Sequence, residues 1–197
     1  METTPPSIPG KARPQWVREC GDPDHVAVIS RGPSNRLFPG KEAGGYDFVV
    51  GVRDVVELWE CDAWALIDTM DYERILPIGS PMMWTTSALE LKVPRLLPKQ
   101  TGRFQKERRI LMDQGQQPPM AQRPRWWMTN GTAALGMAWH LAPRHLDIYG
   151  MDMAGKEDYR GRETIHREET RWVRERGIVD QLIALIAHQG TRVRFIK

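Results

Sequence analysis

Cysteine is scarce in this chain, with Cys20 and Cys61 the only two among 197 residues. They form no CxxC pair, so neither a zinc site nor a disulfide framework has support, and two free, buried thiols are expected. No apolar run approaches the roughly 18 residues of a membrane-spanning helix. The opening METTPPSIPG lacks the basic-then-apolar order of a secretory signal, which makes a cytoplasmic protein the expectation. There is no internal repeat, no GxxxxGK[ST] phosphate loop and no GxGxxG fingerprint. Charge of one sign is also modest: 28 basic against 25 acidic residues give +3, which permits contact with phosphates or nucleic acid without requiring it. What is present is ordinary globular material, 41% hydrophobic and 27% charged, enough for one domain with a sizeable core. Most of the eight tryptophans are expected to be core or interface mass.

Residues 1–24 hold five prolines and read as an extended arm, with at most a helical turn around Gln15–Cys20. The ordered body, 25–197, reads as one Rossmann-like domain. HVAVIS (His25–Ser30) is a strand leading into the tight loop SRGPSN, and FVVGV (Phe48–Val52) is a second buried strand. A short helix is expected in the stretch after Asp54, and AWALIDT (Ala63–Thr69) is a third strand ending in an acid. An edge strand is expected around Val93–Leu97, where proline argues against a central position. From Lys99 to Arg125 the chain reads as a polar, basic surface loop. MTNGTAALGMAWHLAP (Met128–Pro143) is a helix whose small residues suit close packing on a sheet. HLDIYGMD (His145–Asp152) is a strand, REETRWVRERGIVDQLIALIAHQG an amphipathic helix with a bend expected near Gly177, and TRVRFI the last strand. Apolar strands alternating with helices predict an α/β, three-layer Rossmann-like fold with a mostly parallel sheet. Ligands bind such sheets beyond the C-terminal ends of the strands.

Four places could carry chemistry. Ser30-Arg31-Gly32-Pro33-Ser34-Asn35 can turn backbone N–H groups toward a phosphate, although Gly-Pro-Ser also makes ordinary turns. Thr129-Asn130-Gly131-Thr132 opens the small-residue helix, either as an anion site or as a plain helix cap. The carboxylates Asp68 and Asp152 follow strands and suit ribose or sugar hydroxyls. Neither stands in a DxD or HExxH spacing, so no resident metal or other cofactor is expected and Mg²⁺ would enter only with the phosphates of a nucleotide substrate. His166 lies in the polar segment ETIHREE and is either a surface histidine or a general base for an acceptor hydroxyl. The span Pro94–Arg125 adds a fifth feature: eight basic residues less two acids give +6, followed at once by Trp126 and Trp127. It is a solvated face or a collar for an anionic acceptor, with Arg103, Arg108, Arg109, Trp126 and Trp127 as the residues that would contact a nucleic acid.

The order of these motifs resembles the bacterial sialyltransferase-like family and the related Rossmann-like domains of archaeal hydroxymethylpterin diphosphokinases and flagellin-modifying motility factors. Val28–Ser34 is similar to the family's "GxGPS" loop, Cys61–Asp68 to its "PDxxxxxD" segment and Asn130–Ala138 to its "SGxxAxxxA" helix. Leu146–Asp152 is similar to its "IYLxGxD" strand, and His166 occupies the place of a catalytic histidine. The resemblance implies a nucleotide-sugar donor held by Ser30, Arg31, Gly32, Ser34, Arg53, Asp68 and Thr129–Thr132. It implies Asp152 as the orienting acid, His166 as the base, and Tyr149 and Tyr159 as phosphate-stabilising donors. The chain departs from the family pattern at Ser30, Arg31 and Arg53, which leaves a nucleotide- or phosphate-dependent transferase without fixing CMP-sialic acid as the donor. The implied function is transfer of a sugar to an acceptor hydroxyl on a glycan or nucleic acid. Two other readings stay open: ATP/Mg²⁺-dependent diphosphokinase-like transfer, and a non-catalytic nucleic-acid-binding or interaction protein. A homo-oligomer is compatible with all three.

Overall fold

A computed structural model describes residues 17, 18, 20–66, 82–85, 109–112, 129–163 and 169–197. Among the described residues seven strands, β1 (His25–Ile29), β2 (Phe48–Val52), β3 (Ala63–Ala65), β4 (Met82–Thr85), β5 (Arg109–Met112), β6 (His145–Tyr149) and β7 (Arg192–Phe195), form one sheet in the order β5-β4-β3-β2-β1-β6-β7. Every pairing is parallel. The protein is thus an α/β Rossmann-like fold. The apolar runs of β1 and β2 explain their central place. A parallel strand covered on both faces has no solvent side on which polar residues could alternate, and Phe48–Val52 is buried at every position.

The strand order also dictates which face each connection crosses. From β1 to β5 the chain steps one way across the sheet. It then returns to place β6 on the other side of β1 and continues outward to β7. Because parallel crossovers are right-handed, the two directions of travel put their connections on opposite faces. Helices α1 (Asn130–Leu141) and α2 (Glu169–His188) accordingly share one face. There they pack on Val26, Val28, Val50, Leu146 and Ile148. The opposite face carries two 3₁₀ turns, Pro33–Leu37 and Arg53–Glu57, and the loops around them. These bring Phe38, Tyr46, Val55, Val56 and Cys61 over Ala27, Ile29, Val49 and Trp64. The third layer is therefore built, among the described residues, from short turns rather than long helices.

Local sequence sets the ends of these elements. Pro33 opens the first 3₁₀ turn, where its missing N–H has no cost. Helix α1 begins with a reciprocal cap: Thr132 N–H donates to Thr129 Oγ1, and Thr129 N–H donates to Thr132 Oγ1, each at 3.3 Å. It ends at Ala142 in the left-handed region (φ 46°), just before Pro143. Its alanines are buried on all sides, as an internal helix requires. Helix α2 runs through Gly177 without interruption. Its second half buries Ile178, Val179, Leu182 and Ile186, whereas Val173 in its first half is 65% exposed.

The structure corrects several boundaries. Arg109–Met112, expected inside a polar loop, is strand β5, because its RILM run pairs with β4 (Trp84↔Leu111). Strand β4 was not expected. Strand β6 stops at Tyr149 rather than Asp152, since Gly150 turns the chain into the left-handed region (φ 66°). The helix expected after Asp54 is a 3₁₀ turn that starts one residue before it. Strand β3 covers Ala63–Ala65; Ile67–Thr69 and the edge strand expected around Val93–Leu97 lie outside the described residues. Val17, from the end of the N-terminal arm, is wholly buried in the core of the helix face. Cys61 is buried and Cys20 partly so, both as free thiols. Among the described residues no helix is long and apolar enough to cross a membrane.

Candidate functional site

Strands β1 and β6 are neighbours with the strand order reversing between them, the point at which open parallel sheets form their ligand crevice. The two loops are stitched together there. Ser30 N–H donates to the Tyr149 carbonyl (2.8 Å), and Gly32 N–H to the Gly150 carbonyl (2.6 Å). Gly150 N–H donates to Ser34 Oγ (2.9 Å), and Ser34 N–H to Asp152 Oδ2 (3.1 Å). The approach is so close that both glycines are obligatory. A β-carbon on Gly32 would collide with the Asp152 carboxylate, and one on Gly150 with the Ser30 carbonyl.

The start of α1 reaches the same place. A β-carbon on Gly131 would stand 3.3 Å from Met151 Cε, 3.7 Å from Ser30 Oγ and 3.8 Å from Thr129 Oγ1. The first N–H groups of a helix have no intrahelical acceptor, and the helix dipole favours negative charge beside them. Asn35 lies beneath the loop, 1% exposed, and donates its Nδ2 to the Ser30 carbonyl at 3.1 Å. Its Oδ1 is buried and accepts no hydrogen bond among the described residues. Asn35 closes the Ser30–Asn35 loop that the sequence singles out, but the burial of its side chain beneath that loop has no local signal.

Ser30, Gly32, Ser34, Thr129, Asn130, Gly131, Thr132 and Asp152 are thus gathered at one crevice. Arg31 is part of an adjoining ionic cluster on the loop face. Its Nε is 2.7 Å from Asp54 Oδ1 and its Nη2 3.3 Å from Asp158 Oδ2, and both acids are almost fully buried. Arg160 Nη2 approaches Glu57 (2.7 Å) and Asp54 (3.5 Å), while Arg162 Nη2 lies 3.2 Å from Asp158. Burial would raise the Asp158 carboxyl, but the backbone N–H groups of Arg162 and Arg160 and the Arg162 charge outweigh it and hold it below the usual carboxylate range. Tyr159 belongs to the same cluster: its hydroxyl donates to Asp54 Oδ2 (3.1 Å) and accepts from Arg160 Nε (2.7 Å). Burial and the neighbouring Asp54 push this phenol up to about 12, so it keeps its proton at neutral pH. The pairing of Arg31 with acids 23 and 127 residues away had no local signal.

Arg53 begins the second 3₁₀ turn with φ 54°, and Met153, one residue beyond Asp152, has φ 47°. Holding a side chain in this region costs on the order of 1 kcal/mol; Arg53 directly follows β2 and Met153 directly follows Asp152. Tyr149 faces away from α1, with its hydroxyl 2.6 Å from that of Tyr46. Tyr46 in turn donates to Asp147 Oδ2 (2.9 Å), which also receives Arg194 Nη2 (2.6 Å) and faces His25 Nε2 (3.2 Å). Burial would raise the Asp147 carboxyl, but the hydrogen bonds from Arg194, Tyr46 and His25 hold it below its ordinary value.

Asp68, Arg103, Arg108, Trp126, Trp127 and His166 lie outside the described residues, and Arg109 is placed only as the first residue of β5. Among the described residues no group of three or more His, Cys, Asp or Glu is disposed to hold a metal ion. Comparison of the chain with protein-family models, with curated proteins and with solved structures finds no match.

Proposed function

We propose that the protein is a nucleotide-dependent transferase of the glycosyltransferase type, which holds a nucleotide or nucleotide-sugar donor by its phosphates in the crevice between β1 and β6. One observation carries this reading: two strand-end loops and the N-terminus of a twelve-residue helix converge where the strand order reverses. The orphaned acceptor of Asn35 supports it, since a buried unsatisfied group costs about 1–3 kcal/mol and a ligand hydroxyl beside Ser30 would relieve it.

The chemistry follows from the resemblance of the motifs. An acceptor hydroxyl attacks the anomeric carbon and its proton passes to His166. The bond from that carbon to the donor phosphate breaks, and the nucleotide leaves with the electron pair. The start of α1 stabilises the charge gained by the departing phosphate, and Asp152 orients the donor. The acceptor, a glycan or a nucleic acid held by the basic stretch and Trp126–Trp127, is part of the same proposal.

Calorimetry with CMP, UDP, GDP, ADP and ATP, each with and without Mg²⁺, tests the reading. Micromolar binding of CMP or of one nucleoside diphosphate is expected. His166→Ala should leave that binding intact and lower turnover by about 10²–10⁴-fold. A preference for ATP with Mg²⁺ would replace glycosyl transfer by phosphoryl transfer. No binding of any nucleotide overturns both.

A further inference from the structure

Beyond Asp152 the chain continues into a second feature that the phosphate crevice does not use. Residues Ala154–Lys156 form one wall of an open hollow of about 300 Å³, and the first two turns of α2 form the other. The helix contributes Glu169, Trp172, Val173 and Arg176, the i, i+3, i+4, i+7 spacing of a single helical stripe. Two hydrogen bonds clip the walls together: Trp172 Nε1–H donates to the Gly155 carbonyl (3.1 Å), and Arg176 Nη2 donates to the Met153 carbonyl (2.9 Å). The hollow is therefore formed before anything enters it.

Its lining has a definite chemical character. Indole and valine supply an apolar surface, on which Val173 is 65% exposed. Glu169 can only accept hydrogen bonds once ionised, whereas Lys156 and Arg176 can only donate. A ligand suited to all of these has an apolar ring surface and hydroxyls that both donate and accept. A volume at the lower limit for small-molecule pockets admits one ring, not a whole nucleotide conjugate. Ala154 is two residues from Asp152, a reach of at most about 7 Å. A ligand with phosphates at the crevice could thus extend its next group into the hollow.

We infer that this hollow is the subsite for the sugar ring of the donor, with Trp172 and Lys156 as its principal contacts. The inference rests on the reading given under Proposed function and adds the place where the transferred group is recognised.

The test compares each nucleotide with its sugar conjugate: UDP with UDP-glucose, GDP with GDP-mannose, and CMP with CMP-N-acetylneuraminate. Calorimetry on the full chain is expected to show one conjugate binding about tenfold tighter than its nucleotide. Trp172→Ala should abolish that margin without weakening the nucleotide alone, and Lys156→Ala, on an exposed loop, should reduce it severalfold. Thermal melts check that each variant is folded, and Lys156→Ala decides the matter if Trp172→Ala is not. A nucleotide that binds with no conjugate binding tighter overturns the sugar subsite and leaves the transferase reading standing. So does a margin that survives the variants. If no nucleotide binds, the transferase reading falls and the subsite with it.

Discussion

The two faces of the sheet are closed by different physics. Under α1 and α2 the contact is apolar beyond the buried Asn130 and Thr132 at the start of α1: valines and isoleucine from the strands meet alanine, leucine and methionine from α1 and the Ile178–Ile186 stripe of α2. On the loop face the described connections, 30–47 and 53–62, form 3₁₀ turns and loops rather than long helices. There the layer is held by aromatic rings in stacked and edge-to-face contact and by buried carboxylates that collect arginines from distant segments. A helix arrives with its backbone hydrogen bonds already made, so only its side chains need partners. A loop arrives with its polar groups still to be satisfied, and buried polar groups must find partners in the fold. Asp54, Asp158 and Asp147 answer that need. The difference teaches that the loop face depends on charge pairing where the helix face depends on volume.

Substitution that preserves shape separates the two. Asp54→Asn keeps the outline but leaves Arg31 and Arg160 without their shared partner, and a loss on the order of 3 kcal/mol is expected from denaturant unfolding. An unchanged midpoint would mean that the cluster contributes nothing net. On the helix face Leu182→Ala should cost about 2–3 kcal/mol, in keeping with a fully buried leucine whose cavity can partly close. The shape-preserving Leu182→Met should cost less than about 1.5 kcal/mol. If it costs as much as Asp54→Asn, the contrast between volume and charge disappears.

Acid sharpens the comparison further. Asp147 and Asp158 titrate below their ordinary values in the folded protein. Their unfolded forms therefore bind protons first, so the stability they supply is complete above about pH 4 and is lost as pH falls through the folded values. Asp147→Asn should start less stable at neutral pH and lose less below about pH 4 than the parent chain. Leu182→Met should follow the parent's acid limb in parallel, because its face buries no carboxylate among the described residues. Urea midpoints at stepped pH values measure both slopes, and parallel limbs for all three proteins would refute the assignment.

Much of this architecture was legible in the chain. Strands β1, β2 and β6, the cap at Thr129 and the body of α1 follow from apolar runs and local capping chemistry, which act over a few residues. Strands β4 and β5 were missed because four residues are too few to show a period, and Arg109–Met112 sits among charges that read as loop. The gathering of Ser30, Gly32, Ser34 and Asp152 was foreseen through motif order. The pairing of Arg31 with Asp54 and Asp158 was not, since charge partners separated by a crossover leave no mark on local pattern. The pairing of His25 with Asp147 leaves no local mark for the same reason: 122 residues separate them.

The central place of β1 has a consequence for how the chain is made. Its partner on one side comes early, with Val26 opposite Phe48, but on the other side His25 must wait for His145. At about 5–20 residues per second, a ribosome needs roughly 6–24 s to make the 120 residues from Val26 to His145. During that time the apolar edge of β1 has no cover on that side. The nascent protein thus passes through a half-built stage in which a strand buried in the finished sheet still has an open edge, and chaperone capture during synthesis should centre on Val26–Ile29.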